Sequence, residues 1–159
     1  PSYTDTKRDV AIVSAKAGAN EDEAGASYDD NELNEWANDG QLATAWITYT
    51  LAREAQIDDI CVKLNGWRSR SYPLEVYAGD QLIWSGNTEK SLGYIHLETD
   101  KPVRSDQITI RLKGSTSDKD AFGQIVEVAG GAANEMEKKT GKGKHNLRII
   151  EIEFLENIK

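Results

Sequence analysis

The chain has 159 residues, with 27 Asp and Glu against 19 Lys and Arg and a net charge of −8. That length suits one domain with a single core of ordinary size. The acidic excess repels phosphate backbones and argues against a nucleic-acid partner, and no apolar run approaches the roughly 18 residues of a membrane-spanning helix. The single cysteine, Cys61, excludes an internal disulfide. It stands between Ile60 and Val62 and reads as a buried, inert thiol. Four Trp and six Tyr against two Phe suit half-exposed binding surfaces, because these rings carry a polar handle, and suit a β-sandwich core equally well.

The chain opens at Pro1 without a basic or apolar leader, so it reads as a fragment of a longer protein. Residues 1–23 form a polar lead-in and a first strand at Val10–Ala17. Gly18–Asn34 is an acidic, solvated loop, with a short extended piece at Ala26–Tyr28. The polar loop Trp36–Thr44 then feeds a strand, Trp46–Leu51, in which Trp46/Thr48/Thr50 alternate with Ile47/Tyr49/Leu51. Period-2 alternation of β-branched and aromatic residues is the mark of a strand with two distinct faces. The loop's Asp-Gly step has two readings: an oxygen-rich turn that folds around a hard cation, or a plain turn satisfied by its own hydrogen bonds.

Further strands follow at Ile57–Asn65, Leu74–Ala78, Gln81–Trp84, Leu92–Glu98, Asp106–Lys113 and Leu147–Leu155. Gly79-Asp80 is the hairpin turn between Leu74–Ala78 and Gln81–Trp84. On Leu92–Glu98, Tyr94 and His96 share one face. On the last strand Ile150, Ile152 and Phe154 alternate with Glu151 and Glu153. Gly114–Asn146 is a long Gly- and Lys-rich insertion, with an apolar run at Ile125–Ala129 and a helical stretch at Asn134–Lys139. Many short alternating strands with turn signals predict an all-β antiparallel sandwich, one domain over residues 24–156, with its binding loops at the ends.

No nucleophile-and-base set, Walker loop, dinucleotide fingerprint or zinc spacing is visible, and His96 and His145 lie far apart. The loop Trp67-Arg68-Ser69-Arg70-Ser71-Tyr72 is the best recognition candidate. An aromatic ring stacks on the C–H face of a sugar while arginine donors fork to adjacent hydroxyls. Trp67, Arg68, Arg70 and Tyr72, with Tyr94 and His96 nearby, are therefore the expected carbohydrate contacts. The same residue types also anchor protein interfaces.

The stretch Ala37-Asn38-Asp39-Gly40-Gln41-Leu42-Ala43-Thr44-Ala45-Trp46 resembles the Asp-Gly…Thr…Trp signature of the discoidin family, also called the coagulation-factor C-type domain. That family includes the family 32 carbohydrate-binding modules, and Ile150-Glu151-Ile152-Glu153-Phe154 is similar to its closing strand. The segments around Leu64–Gly86, Ser91–Glu98 and Leu147–Glu156 look like a module of large bacterial family 2, β-galactosidase-like glycoside hydrolases. The resemblance implies a jelly roll of the galactose-binding-domain-like class. It also implies a structural calcium, held by the Trp36 carbonyl, the Asp39 carboxylate, the Gln41 carbonyl, Thr44 and Glu151. The chain departs from the pattern at Gln41, where the family has Asp, and at Asn38, where it is apolar. The function implied is non-catalytic binding of a galactose-containing glycan on behalf of a secreted or periplasmic enzyme. The alternatives are a structural module that only packs against its catalytic domain, and a catalytic fragment.

Overall fold

A computed structural model describes residues 7–66, 70–88, 93–99, 101–118 and 145–157. The strands are β1 (Lys7–Asp9), β2 (Ile12–Ala17), β3 (Trp36–Ala37), β4 (Trp46–Leu64), β5 (Arg70–Ser71), β6 (Pro73–Ala78), β7 (Gln81–Asn87), β8 (Ile95–Glu98), β9 (Arg104–Leu112), β10 (Ser117–Asp118) and β11 (Arg148–Asn157). All pairings are antiparallel. One sheet runs β2-β4-β9-β6-β7. In the other, β4 lies between β8 and β11, and β11 also pairs with β1 and β3. The fold is an all-β antiparallel sandwich, as the alternating pattern predicts.

The largest departure is β4. The two strands expected at Trp46–Leu51 and Ile57–Asn65 are one strand of 19 residues that belongs to both sheets. Its first half pairs with β2 and β9 and its second with β8 and β11. The transfer takes place at Ala52-Arg53-Glu54, which are exposed. A bulge beside Asp59 then shifts the inward parity from Ala55 and Ile57 to Ile60, Val62 and Leu64, as an extra residue in one strand must. A second bulge, at Ile150, sets Ile149, Ile152 and Phe154 inward rather than Ile150.

The core lies between the sheets. Ile47, Tyr49, Leu51, Leu74, Val76, Ile108, Ile110 and Leu112 come from one side, and Ile60, Val62, Leu64, Leu97, Ile149, Ile152 and Phe154 from the other. Tyr49 stacks edge-on against Phe154 and Tyr28, with centroids 5.4 and 5.9 Å away. Its hydroxyl lies 2.8 Å from that of buried Ser27. This contact docks a 3-10 turn, Glu21–Ser27, in place of the extended piece expected at Ala26–Tyr28. The lead-in is also structured from Lys7, since β1 pairs with the end of β11. The helical stretch expected at Asn134–Lys139 and the apolar run at Ile125–Ala129 lie outside the described residues.

Buried Glu156 ties three elements together: Arg8 of β1 donates to it at 2.9 Å, and Arg53, at the sheet-to-sheet transfer of β4, also holds it. Arg53 first, then Arg8, hold its carboxyl below the ordinary value of 4.5. A carboxyl depressed by folding stabilises the native state above its unfolded pKa, and that stability drains away as pH falls through the folded one. Glu156→Gln is expected to cost on the order of 1–2 kcal/mol at pH 7. The difference from wild type should shrink below about pH 4.5, and matched urea melts at pH 7 and pH 3.5 measure it.

Candidate functional site

One end of the sandwich gathers the Asp39 loop, residues 65–66 and 70–72, residues 113–116 and residues 145–147. Direct bonds join them: Asn65 N to the Arg148 carbonyl (3.0 Å), Lys113 N to the Pro73 carbonyl (2.9 Å) and Leu112 N to the Ala45 carbonyl (2.9 Å). Gly18 makes this closure possible. A Cβ there would stand 2.4 Å from the Thr44 carbonyl oxygen, so only glycine lets β2 end against the loop.

The Asp39 loop is knit by its own groups. Asp39 Oδ1 accepts from the Gln41 backbone N–H at 3.2 Å and from the Thr44 hydroxyl, and these bonds, the Thr44 one foremost, hold its carboxyl below the ordinary range. The Asn38 amide nitrogen lies 2.9 Å from the Gln41 carbonyl, 3.1 Å from the His145 carbonyl and 3.3 Å from Thr44 Oγ1. Its oxygen accepts from Leu147 N at 2.8 Å and Asn146 Nδ2 at 3.2 Å. The residue that departs from the family's apolar position is therefore the hub that joins the loop to the start of β11. The departure is visible in the sequence but the role is not, because His145–Leu147 lie more than a hundred residues away.

Of the five residues expected to hold calcium, Trp36, Asp39, Gln41 and Thr44 lie in or beside one loop, and Glu151 lies on β11, where Ile149 pairs with Trp36. The Trp36 side chain is fully buried and its indole N–H donates to the Ala19 carbonyl at 3.0 Å, which fixes the start of the loop and leaves the expected ligand, its carbonyl, a separate group. Asp39, Gln41 and Thr44 share the loop, but an amide N–H points into the Gln41 and Thr44 oxygens. Glu151 follows the bulge at Ile150 on β11. Its Oε2 accepts from the Asp30 N–H at 3.2 Å, and it lines a groove of about 370 Å³ with Asp9, Asp30 and Glu153. Burial first, then Asp29, Asp30 and Glu153, push its carboxyl up to about 7. Among the described residues no three His, Cys, Asp or Glu side chains are arranged to hold a metal.

The described ones among the expected carbohydrate contacts fall in two places, Arg70 and Tyr72 in and beside β5 and Tyr94 and His96 in and beside β8. Trp67 and Arg68 lie outside the described residues. Arg70 sits in the β5–β10 ribbon opposite Asp118. Tyr72 corrects the expectation of a stacking platform: its ring is fully buried, and its hydroxyl donates to the Asn65 carbonyl at 2.7 Å. Burial pushes that hydroxyl up to about 12. Tyr94 and His96 stand on the outer face of the second sheet, already engaged. Tyr94 donates to Glu32 at 2.9 Å, with Lys63 over its ring at 5.8 Å. His96 Nδ1 lies 3.0 and 3.1 Å from the two oxygens of buried Asp59, which Lys7 also holds.

Cys61 is half-buried rather than buried, and its thiol is pushed up to about 11, by burial first and then by Glu153, Asp59 and Asp9. Ser115 Oγ lies 3.1 Å from His145 Nε2, a pairing invisible at thirty residues' separation. Among the described residues no carboxylate orients that histidine, as a hydrolytic triad requires.

Comparison with solved structures names the architecture. The chain has the fold of family 32 carbohydrate-binding modules. It superposes on the family 32 module of AlyQ, solved with 4,5-unsaturated mannuronic acid, with a TM-score of 0.67 and 14% identity, over 92% of this chain and 97% of that one. The family 32 module of C. perfringens NanJ, solved with galactose, gives 0.60 and 15% over 94% of this chain and 100% of that one. A pectin binding carbohydrate binding module gives 0.63 and 18% over 91% of each. The chain spans only 34% of truncated AlyQ, which combines a family 32 module with an alginate lyase domain. No protein-family model and no curated protein sequence matches the chain.

Asn38→Ala removes both sides of the hub and strands the Leu147 N–H and the His145 carbonyl. Each buried polar group left without a partner costs about 1–3 kcal/mol. The variant is expected to melt roughly 5–10 °C below wild type, measured by calorimetry.

Proposed function

We propose that this chain is a non-catalytic carbohydrate-binding module that keeps a larger glycan-degrading enzyme on its substrate. The observation that carries the reading is the match over nine-tenths or more of both chains to free-standing sandwiches solved with sugars. The 34% span of a module-plus-lyase protein fits the same arrangement. The galactose complex and the sequence likeness to β-galactosidase-like hydrolases make a galactose-containing glycan the first ligand to test. A β-galactosidase-like glycoside hydrolase acting in the periplasm or outside the cell is the parent this reading favours.

In this reading the Asp39 loop is braced by Asn38 and not by calcium. The support is the set of bonds that the Asn38 amide makes to the loop's own oxygens. Calcium added after chelation is expected to leave the melting temperature unchanged, and a saturable rise of several degrees would reinstate the metal.

Titration calorimetry of this chain against galactan, galactose and polygalacturonate tests the main claim. Few contacts on a shallow surface predict a Kd on the order of micromolar to millimolar. No heat with any glycan would leave the packing module as the surviving account.

A further inference from the structure

We infer that the glycan lies on the outer face of the sheet β2-β4-β9-β6-β7, in a groove from Trp46 to Asp80, and that the groove takes a neutral, hydroxyl-rich chain. The inference rests on the reading as a carbohydrate-binding module and assigns that module its site.

The strand pattern builds the groove. Each inward residue of this sheet has an outward neighbour. With Ile47 and Tyr49 inside, Trp46 and Thr48 face out; with Ile110 and Val76 inside, Thr109, Arg111, Glu75 and Tyr77 face out. The register lines them up, with Trp46 opposite Arg111 and Arg111 opposite Glu75 in one row. In the next row Thr48 is opposite Thr109 and Thr109 opposite Tyr77. Leu42 and Ala43 close one end and the Gly79-Asp80 hairpin turn the other, around a groove of about 520 Å³. From the Glu75 row to Gly79 is four residues, about 13 Å, more than one pyranose ring. The groove suits a chain rather than a single terminal sugar.

The groups in it are positioned but unspent. Trp46 is half-buried, which holds its ring in place, and its indole N–H meets no protein acceptor among the described residues. The same holds for the Arg111 guanidinium and the Asp80 carboxylate, neither of which makes an ion pair among the described residues. Elsewhere comparable groups are consumed: Tyr94 by Glu32, His96 by Asp59, Arg53 by Glu156 and Arg148 by Glu35. The Tyr77 hydroxyl donates to Glu75 at 3.0 Å, and the Thr48 and Thr109 hydroxyls lie 2.7 Å apart, which fixes the platform and its floor.

The chemistry selects the ligand. Two aromatic rings, Trp46 and Tyr77, line the groove, and such rings stack on the C–H side of sugar rings. Arg111 only donates, Asp80 only accepts, and Thr109 does either, which is what a rim of hydroxyls requires. Arg111 and Asp80 carry opposite charges at separate points of the groove, and Glu75 stands beside Arg111. A polyanion meets Asp80 and Glu75, and a polycation meets Arg111. A neutral glycan meets neither penalty.

The test uses galactotetraose and polygalacturonate as probes, with titration calorimetry on wild type, Tyr77→Ala, Arg111→Ala, Tyr77→Phe and Arg70→Ala. Tyr77→Ala and Arg111→Ala are each expected to weaken galactotetraose binding at least tenfold while each variant still melts cooperatively well above the titration temperature. Tyr77→Phe, which keeps the ring, should stay within threefold of wild type. Wild-type binding that survives both alanine changes, or falls only in Arg70→Ala, puts the sugar elsewhere and overturns this site while sparing the module. Tighter wild-type binding of polygalacturonate than of galactotetraose overturns the neutral ligand. A wild type that binds neither probe brings down the site and the module reading together.

Discussion

Strand β4 is paired on both edges along both of its halves, and every other layer of the molecule is placed relative to it. Its first half aligns β2 and β9, and through β9 the strands β6 and β7. Its second half aligns β8 and β11, and through β11 the strands β1 and β3. One covalent strand thus sets the separation and relative twist of the two sheets, so the core side chains between them have one way to interdigitate. A displacement on one sheet is carried to the other through backbone rather than through a flexible connection. That stiffness suits a platform whose task is to present fixed groups to a ligand.

Buried polar groups complete the scaffold where apolar packing stops. Asn38 with Asn146 closes one end, Ser27 with Tyr49 docks the 3-10 turn, and Glu156 with its two arginines ties the N-terminal strand to the last one. Each network joins partners distant in sequence, so a misregistered pairing would leave buried polar groups without them. The outer face of the β9–β6 region is different. There Trp46, Arg111 and Asp80 are placed without being consumed by other described residues, and free hydrogen-bonding capacity on a rigid surface is what binding uses.

The strand content was legible because alternation survives in Trp46–Leu51, Leu74–Ala78 and Arg104–Leu112. The continuity of β4 was not: Ala52–Gln56 carries no apolar alternation while it changes sheets, and it reads as a break. The bulges beside Asp59 and at Ile150 were equally hidden, because an inserted residue looks locally like any other. Tyr72 read as a loop aromatic, since nothing in its neighbours announces that the chain turns inward there. Trp46, Tyr77 and Arg111 come from three strands, and only the pairing register brings them to one face. Asn38 was visible as an oddity in an otherwise familiar motif, but its partners lie at the far end of the chain.

The most direct measurement is a crystal structure of this chain grown with galactotetraose. The account predicts sugar rings over Trp46 and Tyr77 with hydroxyls on Arg111, Thr109 and Asp80, and an Asp39 loop closed by the Asn38 amide. Sugar bound at the loop end beside Arg70, or a loop opened around a metal ion with Asn38 turned away, would contradict it.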